Sequence, residues 1–362
     1  MKKNPNYYAI LMAGGVGSRF WPVSKASYPK QFHDMLGTGK SLLQSTFSRL
    51  ENSIPTENIF ILTNANYQNL VIKQLPEITE KQLVLEPVMR NTAPCILLAS
   101  LKIYKENPNA LMVVAPSDHW IEDEDAFAKD LQISFDACQR QSILMTLGIQ
   151  PSFPNTGYGY IKSIDSEKTP ILAVEKFTEK PDYATAKQFL SEGNYTWNAG
   201  IFIWSAKAIL EAFQTFQNEM FCLFEAGKEA FNTRGEADFL EENYAKAPNI
   251  SIDYAILEKA NNIFMLTASF DWSDLGTWGS LYEELPKNEQ ENVVVNTKQL
   301  IEINASKNIV RTSQNKLVVL EGINNYIIVE TDDALVIVSK EKEQDIKKIR
   351  QEAIEKYGEQ FE

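Results

Sequence analysis

Residues 11–32 read Leu-Met-Ala-Gly-Gly-Val-Gly-Ser-Arg-Phe-Trp-Pro-Val-Ser-Lys-Ala-Ser-Tyr-Pro-Lys-Gln-Phe. The apolar run Tyr7–Ala13 reads as a buried first strand, and Gly14, Gly15 and Gly17 end it. Three glycines in four positions let the backbone turn sharply and bring its N–H groups against an anion. Arg19 adds a forked cation, and Lys25 and Lys30 add two point charges close behind. Such a loop suits a polyphosphate. Two familiar phosphate motifs do not fit it. The dinucleotide fingerprint G-x-G-x-x-G, counted from Gly15, meets Phe20 at its third glycine, and Trp21-Pro22 then resists immediate helix formation. Gly39-Lys40-Ser41 ends like a Walker loop, but the first glycine of that motif would fall on Asp34.

A chain of 362 residues exceeds a typical single domain, so one large domain with a smaller appendage is expected. The net charge of −13 argues against nucleic acid or an anionic membrane as partner. Anionic substrates must then be drawn in by a local cationic patch, which residues 19–30 supply. Cys95, Cys138 and Cys222 are odd in number and far apart, which predicts buried reduced thiols in a cytoplasmic protein. No apolar run approaches the length of a membrane span. Lys2-Lys3 before Tyr7–Ala13 superficially resembles a signal peptide, but the apolar part is short and runs straight into the glycine loop.

Apolar strand-like runs alternate with helical patterns through roughly the first 280 residues, which predicts a largely parallel α/β sheet. Ser41 and Gln44 can cap a helix running to about Leu50, with strands at Asn58–Thr63, Leu83–Leu85 and Leu111–Ala115. Helices are expected at Ala93–Tyr104, Ala126–Cys138, Tyr183–Leu190 and Ala206–Phe216. The polar, acidic segment Phe221–Ala247 reads as a lid or insertion helix pair on the surface. After about Pro286 the texture changes. Short β-rich runs at Ile309–Val310, Leu317–Leu320, Tyr326–Val329 and Ala334–Val338 recur about every nine residues. Turn clusters such as Ser313-Gln314-Asn315 and Thr331-Asp332-Asp333 separate them, and Glu341–Tyr357 reads as a charged amphipathic helix. Regular short strands suggest a small all-β unit, a pattern that a β-sandwich fragment would also give.

The glycine loop, together with Phe20-Trp21-Pro22-Val23-Ser24 and Pro29-Lys30-Gln31-Phe32, resembles the signature of the nucleotidyltransferases that make nucleotide sugars. Within that family it is most similar to the guanylyltransferases acting on mannose 1-phosphate. Lys25 stands where the family pattern has Arg, which keeps the charge but loses the fork and leaves it a supporting role. The resemblance implies a Rossmann-like catalytic domain over 1–285 and a small β-helix-like module over 286–362. Because the chain stops short of the isomerase domain of longer bifunctional relatives, a monofunctional enzyme is expected.

The same resemblance assigns the later motifs. Val113-Val114-Ala115-Pro116-Ser117-Asp118-His119 ends an apolar strand in an aspartate, where open α/β sheets place ligand groups. The family's metal ligand falls on Asp118, although an aspartate there could instead cap a helix. Asp271-Trp272-Ser273-Asp274-Leu275-Gly276-Thr277-Trp278 matches the late string whose aspartate, here Asp274, is the second ligand. Two carboxylates facing a triphosphate suit Mg²⁺. Gly14, Gly15, Gly17, Ser18 and Ser117 are expected at the nucleotide, with Arg90, Asn91 and Thr92 of Glu86–Pro94 beside its base. Asn91 or Thr92 could equally cap a helix.

On the sugar side the resemblance implies Gly159 of Thr156–Ile161, Glu179 and Lys180 of Glu175–Pro181, Asn198 of Tyr195–Phe202, and Asp253 of Ser251–Glu258. Glu179 offers acceptors for hydroxyls and Lys180 a charge for the sugar's phosphate. Asn198 could equally be a turn residue, and Asp253 a helix cap. With His33 and His119 its only histidines, the chain is not organised around imidazole or zinc chemistry. That fits nucleotidyl transfer, in which positioning and charge neutralisation dominate.

The expected reaction is therefore GTP plus mannose 1-phosphate giving GDP-mannose and pyrophosphate. Arg19 and Lys30 are read as exposed catalytic cations over a substrate cavity, acting with Asp118 and Asp274. A sister enzyme with another base or sugar is disfavoured by the Phe20–Pro22 and Pro29–Phe32 strings. A silent GDP-mannose sensor could have dropped Arg19, Lys30 or an aspartate, and all are present. A homodimer is left open; neither nucleic acid nor membrane is expected as a partner.

Overall fold

The first strand forms over Tyr7–Met12 in a computed structural model that describes residues 3–164, 169–312 and 316–362. Lys2 and the turn expected at 313–315 lie outside the described residues. The chain divides into two units: residues 1–14, 47–116 and 121–272 form one, and 15–46, 117–120 and 273–362 the other.

In the first unit, nine strands of the described residues form one sheet. From one edge it runs Leu83–Glu86, Ile59–Asn64, Tyr7–Met12, Leu111–Pro116, Tyr195–Ser205, Leu144–Ile149, Ile263–Thr267, Ile171–Thr178 and Tyr160–Ile164. The first four strands are parallel, as the alternation of strands and helices predicts, with Ala9 opposite both Ile59 and Val113. Helices Gln68–Gln74 and Thr92–Glu106 make the crossovers that parallel neighbours require. The other half is mixed, because Tyr195–Ser205 runs antiparallel to all three strands it pairs with, Leu111–Pro116, Leu144–Ile149 and Tyr160–Ile164. The helix Thr92–Glu106 buries every residue from Ala93 to Ile103, which its nearly unbroken apolar run explains.

The segment Phe221–Ala247 is not a surface lid. The expected helix pair is present, Asn218–Glu225 and Glu236–Asn243, but Phe224 and Leu240 within it, Phe231 between the helices and Tyr244 just after them lie inside the main core, while the acidic residues around them carry the solvent face. Cys95 and Cys138 are buried free thiols as expected; Cys222 is free but exposed. No helix among the described residues is long and apolar enough to cross a membrane.

In the second unit the recurring short strands wind into a β-helix-like stack. Val293 pairs in parallel with Ile309, and Ile309 with Ile327. Gln299–Ile303 pairs in parallel with Leu317–Glu321 on a second face. Parallel pairing of this kind excludes a β-sandwich fragment, whose strands are antiparallel. Buried Asn292 and Asn308 tie the coils together: Asn292 Oδ1 accepts from the Asn308 amide at 2.8 Å, and Asn308 Oδ1 accepts from the Tyr326 amide at 2.9 Å. Leu335–Ser339 turns back antiparallel on Tyr326–Glu330 and closes the stack. The terminal helix then begins as a 3₁₀ segment, Lys340–Asp345, before becoming α-helical over Ile346–Tyr357.

The glycine-loop signature belongs to this same unit. Phe20, Trp21 and Val23 share one apolar core with Trp278, Val293, Ile309, Ile327 and Ile346. Trp21 Nε1 donates to the Phe361 carbonyl at 2.9 Å, and Lys25 pairs with Asp333. The aromatic residues that resist helix formation after Gly17 are thus the loop's anchors.

Candidate active site

Gly17 sets the shape of the glycine loop. Its φ of 68° is a left-handed conformation, and a Cβ there would lie 2.5 Å from Lys30 Cβ. Only glycine permits both the turn and the close approach of the Pro29–Phe32 segment. A short 3₁₀ turn, Ser18–Phe20, follows; it leaves Arg19 exposed and drives Phe20 into the core.

Gly17, Ser18, Arg19, Lys30, Asp118 and Asp274 converge on one cavity of about 250 Å³. Lys30 is not the exposed cation expected from sequence. It is 3 % exposed, with Nζ 3.1 Å from Asp118 Oδ2 and 3.0 Å from the Asp274 carbonyl, and its ammonium faces the Phe20 ring. Burial pushes the Asp118 carboxyl up, but the charges of Lys30 and His119 and the Lys30 hydrogen bond outweigh it and hold the group below the usual carboxylate range. Asp118 does not cap a helix; Asp123 caps Glu124–Arg140. Asp274 Oδ1 accepts from the Gly276 amide at 2.9 Å.

No cluster of three or more His, Cys, Asp or Glu side chains suited to a metal occurs among the described residues. Two carboxylates on one cavity nonetheless fit a hard divalent cation that completes its shell with substrate oxygens and water. Ser117 stands apart from this group. It is buried, does not line the cavity, and offers its carbonyl to Thr46 Oγ1 at 3.2 Å. Lys25 is also elsewhere, held by Asp333.

In the first unit the five residues expected at the sugar lie together. Asn198 is held from three sides: Oδ1 accepts from Thr146 Oγ1 at 3.0 Å and from the Gly200 amide at 3.1 Å, while Nδ2 donates to Asp253 Oδ1 at 3.2 Å. Its amide donates to the Gly159 carbonyl at 2.8 Å. A Cβ at Gly159 would sit 2.6 Å from Glu179 Oε2, so glycine is what lets this strand lie against the carboxylate. Lys180 Nζ donates to Glu179 Oε1 at 2.6 Å, and the Glu179 amide donates to Glu258 Oε1 at 3.3 Å. Glu258 was not anticipated in this role.

Burial, reinforced by the charge of Glu179, pushes the Asp253 carboxyl up to about 7. Between its ordinary value and that figure the folded chain keeps a proton the unfolded chain has released. Stability tied to Asp253 is therefore present at acid pH and lost as pH rises towards 7. Asp253→Asn should flatten that decline, raising Tm over wild type more at pH 7.5 than at pH 4.5. Thermal melts at the two values decide it, and an equal shift at both would refute the coupling.

The segment beside the expected base reads differently. Asn91 caps the Thr92–Glu106 helix, its Oδ1 accepting from the Thr92 amide at 3.0 Å. Thr92 Oγ1 accepts from the Ile252 amide at 2.9 Å, and Arg90 Nη2 donates to the Ala245 carbonyl at 2.6 Å. All three side chains are engaged by the protein. The chemically exceptional group here is Glu86, buried and bound at Oε1 by the Tyr244 hydroxyl at 2.5 Å. Burial pushes its carboxyl up to about 7 against the lowering effect of that bond. Its other oxygen lies 3.7 Å from where a Cβ on Gly14 would stand.

The Nucleotidyl transferase family model matches residues 8–291, and that of the MannoseP isomerase/GMP-like beta-helix domain matches 298–352. A mannose-1-phosphate guanylyltransferase of Klebsiella pneumoniae is 36 % identical over 349 residues, spanning 94 % of this chain and 72 % of that protein. The protein of the same name from Escherichia coli matches with the same identity and coverage. A crystal structure described as mannose-1-phosphate geranyltransferase from Thermus thermophilus superposes with a TM-score of 0.87 at 29 % identity, over 96 % of this chain and 99 % of that one.

Proposed function

We propose that this chain, which belongs to the nucleotidyl transferase family, transfers GMP from GTP to mannose 1-phosphate, giving GDP-mannose and pyrophosphate. The observation that carries this reading is the convergence of Gly17, Arg19, Lys30, Asp118 and Asp274 on one cavity; the names of the relatives support the choice of substrates. The family matches over 8–291 and 298–352 favour a catalytic span of 1–285 and a module of 286–362.

A phosphate oxygen of mannose 1-phosphate attacks the α-phosphorus of GTP in line. The new P–O bond forms as the bond to the β-bridging oxygen breaks, and that oxygen leaves with the electron pair on pyrophosphate. The attacking oxygen is already anionic at neutral pH, so no general base is required. Gly14, Gly15, Gly17, Ser18 and Arg19 hold the departing phosphates, and Lys30 offsets charge at the reacting centre. Lys180 draws in the sugar's phosphate, while Glu179, Asn198 and Asp253 read hydroxyls. Residues 86–94 lie beside the base. Asp118 and Asp274 would hold Mg²⁺, which when bound neutralises phosphate charge that the protein's cations leave uncovered. The free thiols favour a reducing cytoplasm.

Pyrophosphate release measured across four nucleoside triphosphates and several hexose 1-phosphates tests the proposal. GTP with mannose 1-phosphate should give the highest kcat/KM, and excess EDTA should abolish turnover. A higher value for another pair, or full turnover in EDTA, would refute the corresponding part.

A further inference from the structure

We infer that Lys347, in the helix that ends the β-helix-like module, is a third phosphate-binding cation of the active site and contacts the leaving pyrophosphate. The inference rests on the reading of the 250 Å³ cavity as the phosphate site. Lys347 is exposed, and it lines that cavity together with Gly17, Ser18, Arg19, Asp118 and Asp274. Its neighbour Ile346 is 1 % exposed and sits in the same apolar core as Phe20 and Trp21. Burial of one residue in the glycine loop's own core therefore fixes the position of the next over the cavity.

Charge balance makes the role specific. Of the cations close behind the glycine loop, Lys25 is held by Asp333 and Lys30 is committed to Asp118 and the Asp274 carbonyl. Among the described residues, neither Arg19 nor Lys347 forms an ion pair. Arg19, Lys30 and Lys347 outnumber the two carboxylates on the cavity, Asp118 and Asp274, and in a chain carrying a net charge of −13 this local excess of positive charge suits a polyanion. As the donor is cleaved, charge grows on the departing phosphates, so a lysine placed there acts on both binding and turnover.

The test is calorimetric titration of the full chain with inorganic pyrophosphate in the presence of Mg²⁺, alongside steady-state kinetics. Lys347→Gln should weaken pyrophosphate binding about tenfold, the scale of one charge-assisted hydrogen bond, and raise KM for GTP in parallel. KM for mannose 1-phosphate and Tm should hold steady. Lys347→Arg should restore most of the binding, and Lys348→Gln, which removes a neighbouring charge of the same helix, should leave it intact. Unchanged pyrophosphate affinity in Lys347→Gln, equal loss in Lys348→Gln, or no pyrophosphate binding by wild type would overturn the inference. If wild type binds pyrophosphate through Lys347 yet makes no GDP-mannose, the proposed reaction fails and the phosphate role of Lys347 stands.

Discussion

Asp118→Asn should lower kcat/KM for GDP-mannose formation by about 10²–10³-fold, or roughly 3–4 kcal/mol of transition-state stabilisation. The substitution keeps the side chain's shape and removes its charge. Two consequences follow from the geometry. A carboxylate lining the cavity is lost, and with it one of the two ligands proposed for a divalent cation. The ammonium of Lys30, almost wholly buried, also loses the partner 3.1 Å away. A buried charge left without its counter-ion destabilises the fold, so the variant should melt earlier than wild type at pH 7. Because the Asp118 carboxyl is held low in the folded state, its stabilisation is present at neutral pH and lost as pH falls through its folded pKa. The melting difference should therefore shrink in acid. Activity retained within a few-fold, measured per folded molecule, would remove Asp118 from the mechanism.

Gly17→Ala should reduce kcat/KM at least about 10²-fold, since ångström-scale misplacement of positioning groups has that effect. A methyl at this position meets Lys30 Cβ at 2.5 Å, next to the backbone, where no side-chain rotation relieves the contact. It must also accept a φ of 68°, which costs a non-glycine residue about 1 kcal/mol. Either the loop or the Lys30 segment moves, and both line the cavity. Gly15→Ala is the matched control. A Cβ at Gly15 meets nothing within 4 Å, so that variant should keep wild-type Tm and reveal only how closely a ligand approaches the backbone. Equal kinetics for Gly17→Ala and wild type would disprove the requirement.

The alternation of strands and helices made the parallel half of the large sheet legible, because βαβ crossovers leave a strong pattern. The antiparallel course of Tyr195–Ser205 left none, since buried strands look alike in either direction. In the small unit the nine-residue recurrence was visible but its meaning was not. Alternate strands lie on different faces, so the true repeat is two recurrences long, as the Ile309–Ile327 pairing shows. Arg19, Asp118 and Asp274 could be picked out because each stands in a dense motif, and the structure brings them to one cavity. The burial of Lys30 could not, because a lysine after a proline reads as solvated until the Asp118 carboxylate is placed beside it. Tyr244 was hidden by the acidic residues around it, and Lys347 by its ordinary setting in a charged helix, where its place on the cavity, set by the packing of Ile346, distinguishes it from Lys348.

The apolar core shared by Phe20, Trp21, Val23, Ile309, Ile327 and Ile346 limits how such chains can recombine. A chimera joined at residue 286 would inherit its glycine loop from one parent and the platform beneath that loop from the other. Aromatic anchors shaped for one set of coils would then face a foreign surface, and the crossover would damage chemistry far from the splice. Exchanges that carry residues 15–46 along with the C-terminal coils preserve the interlock. The inheritable unit is therefore discontinuous in the gene, and shuffled libraries of these chains should be enriched for survivors whose parentage matches at both segments.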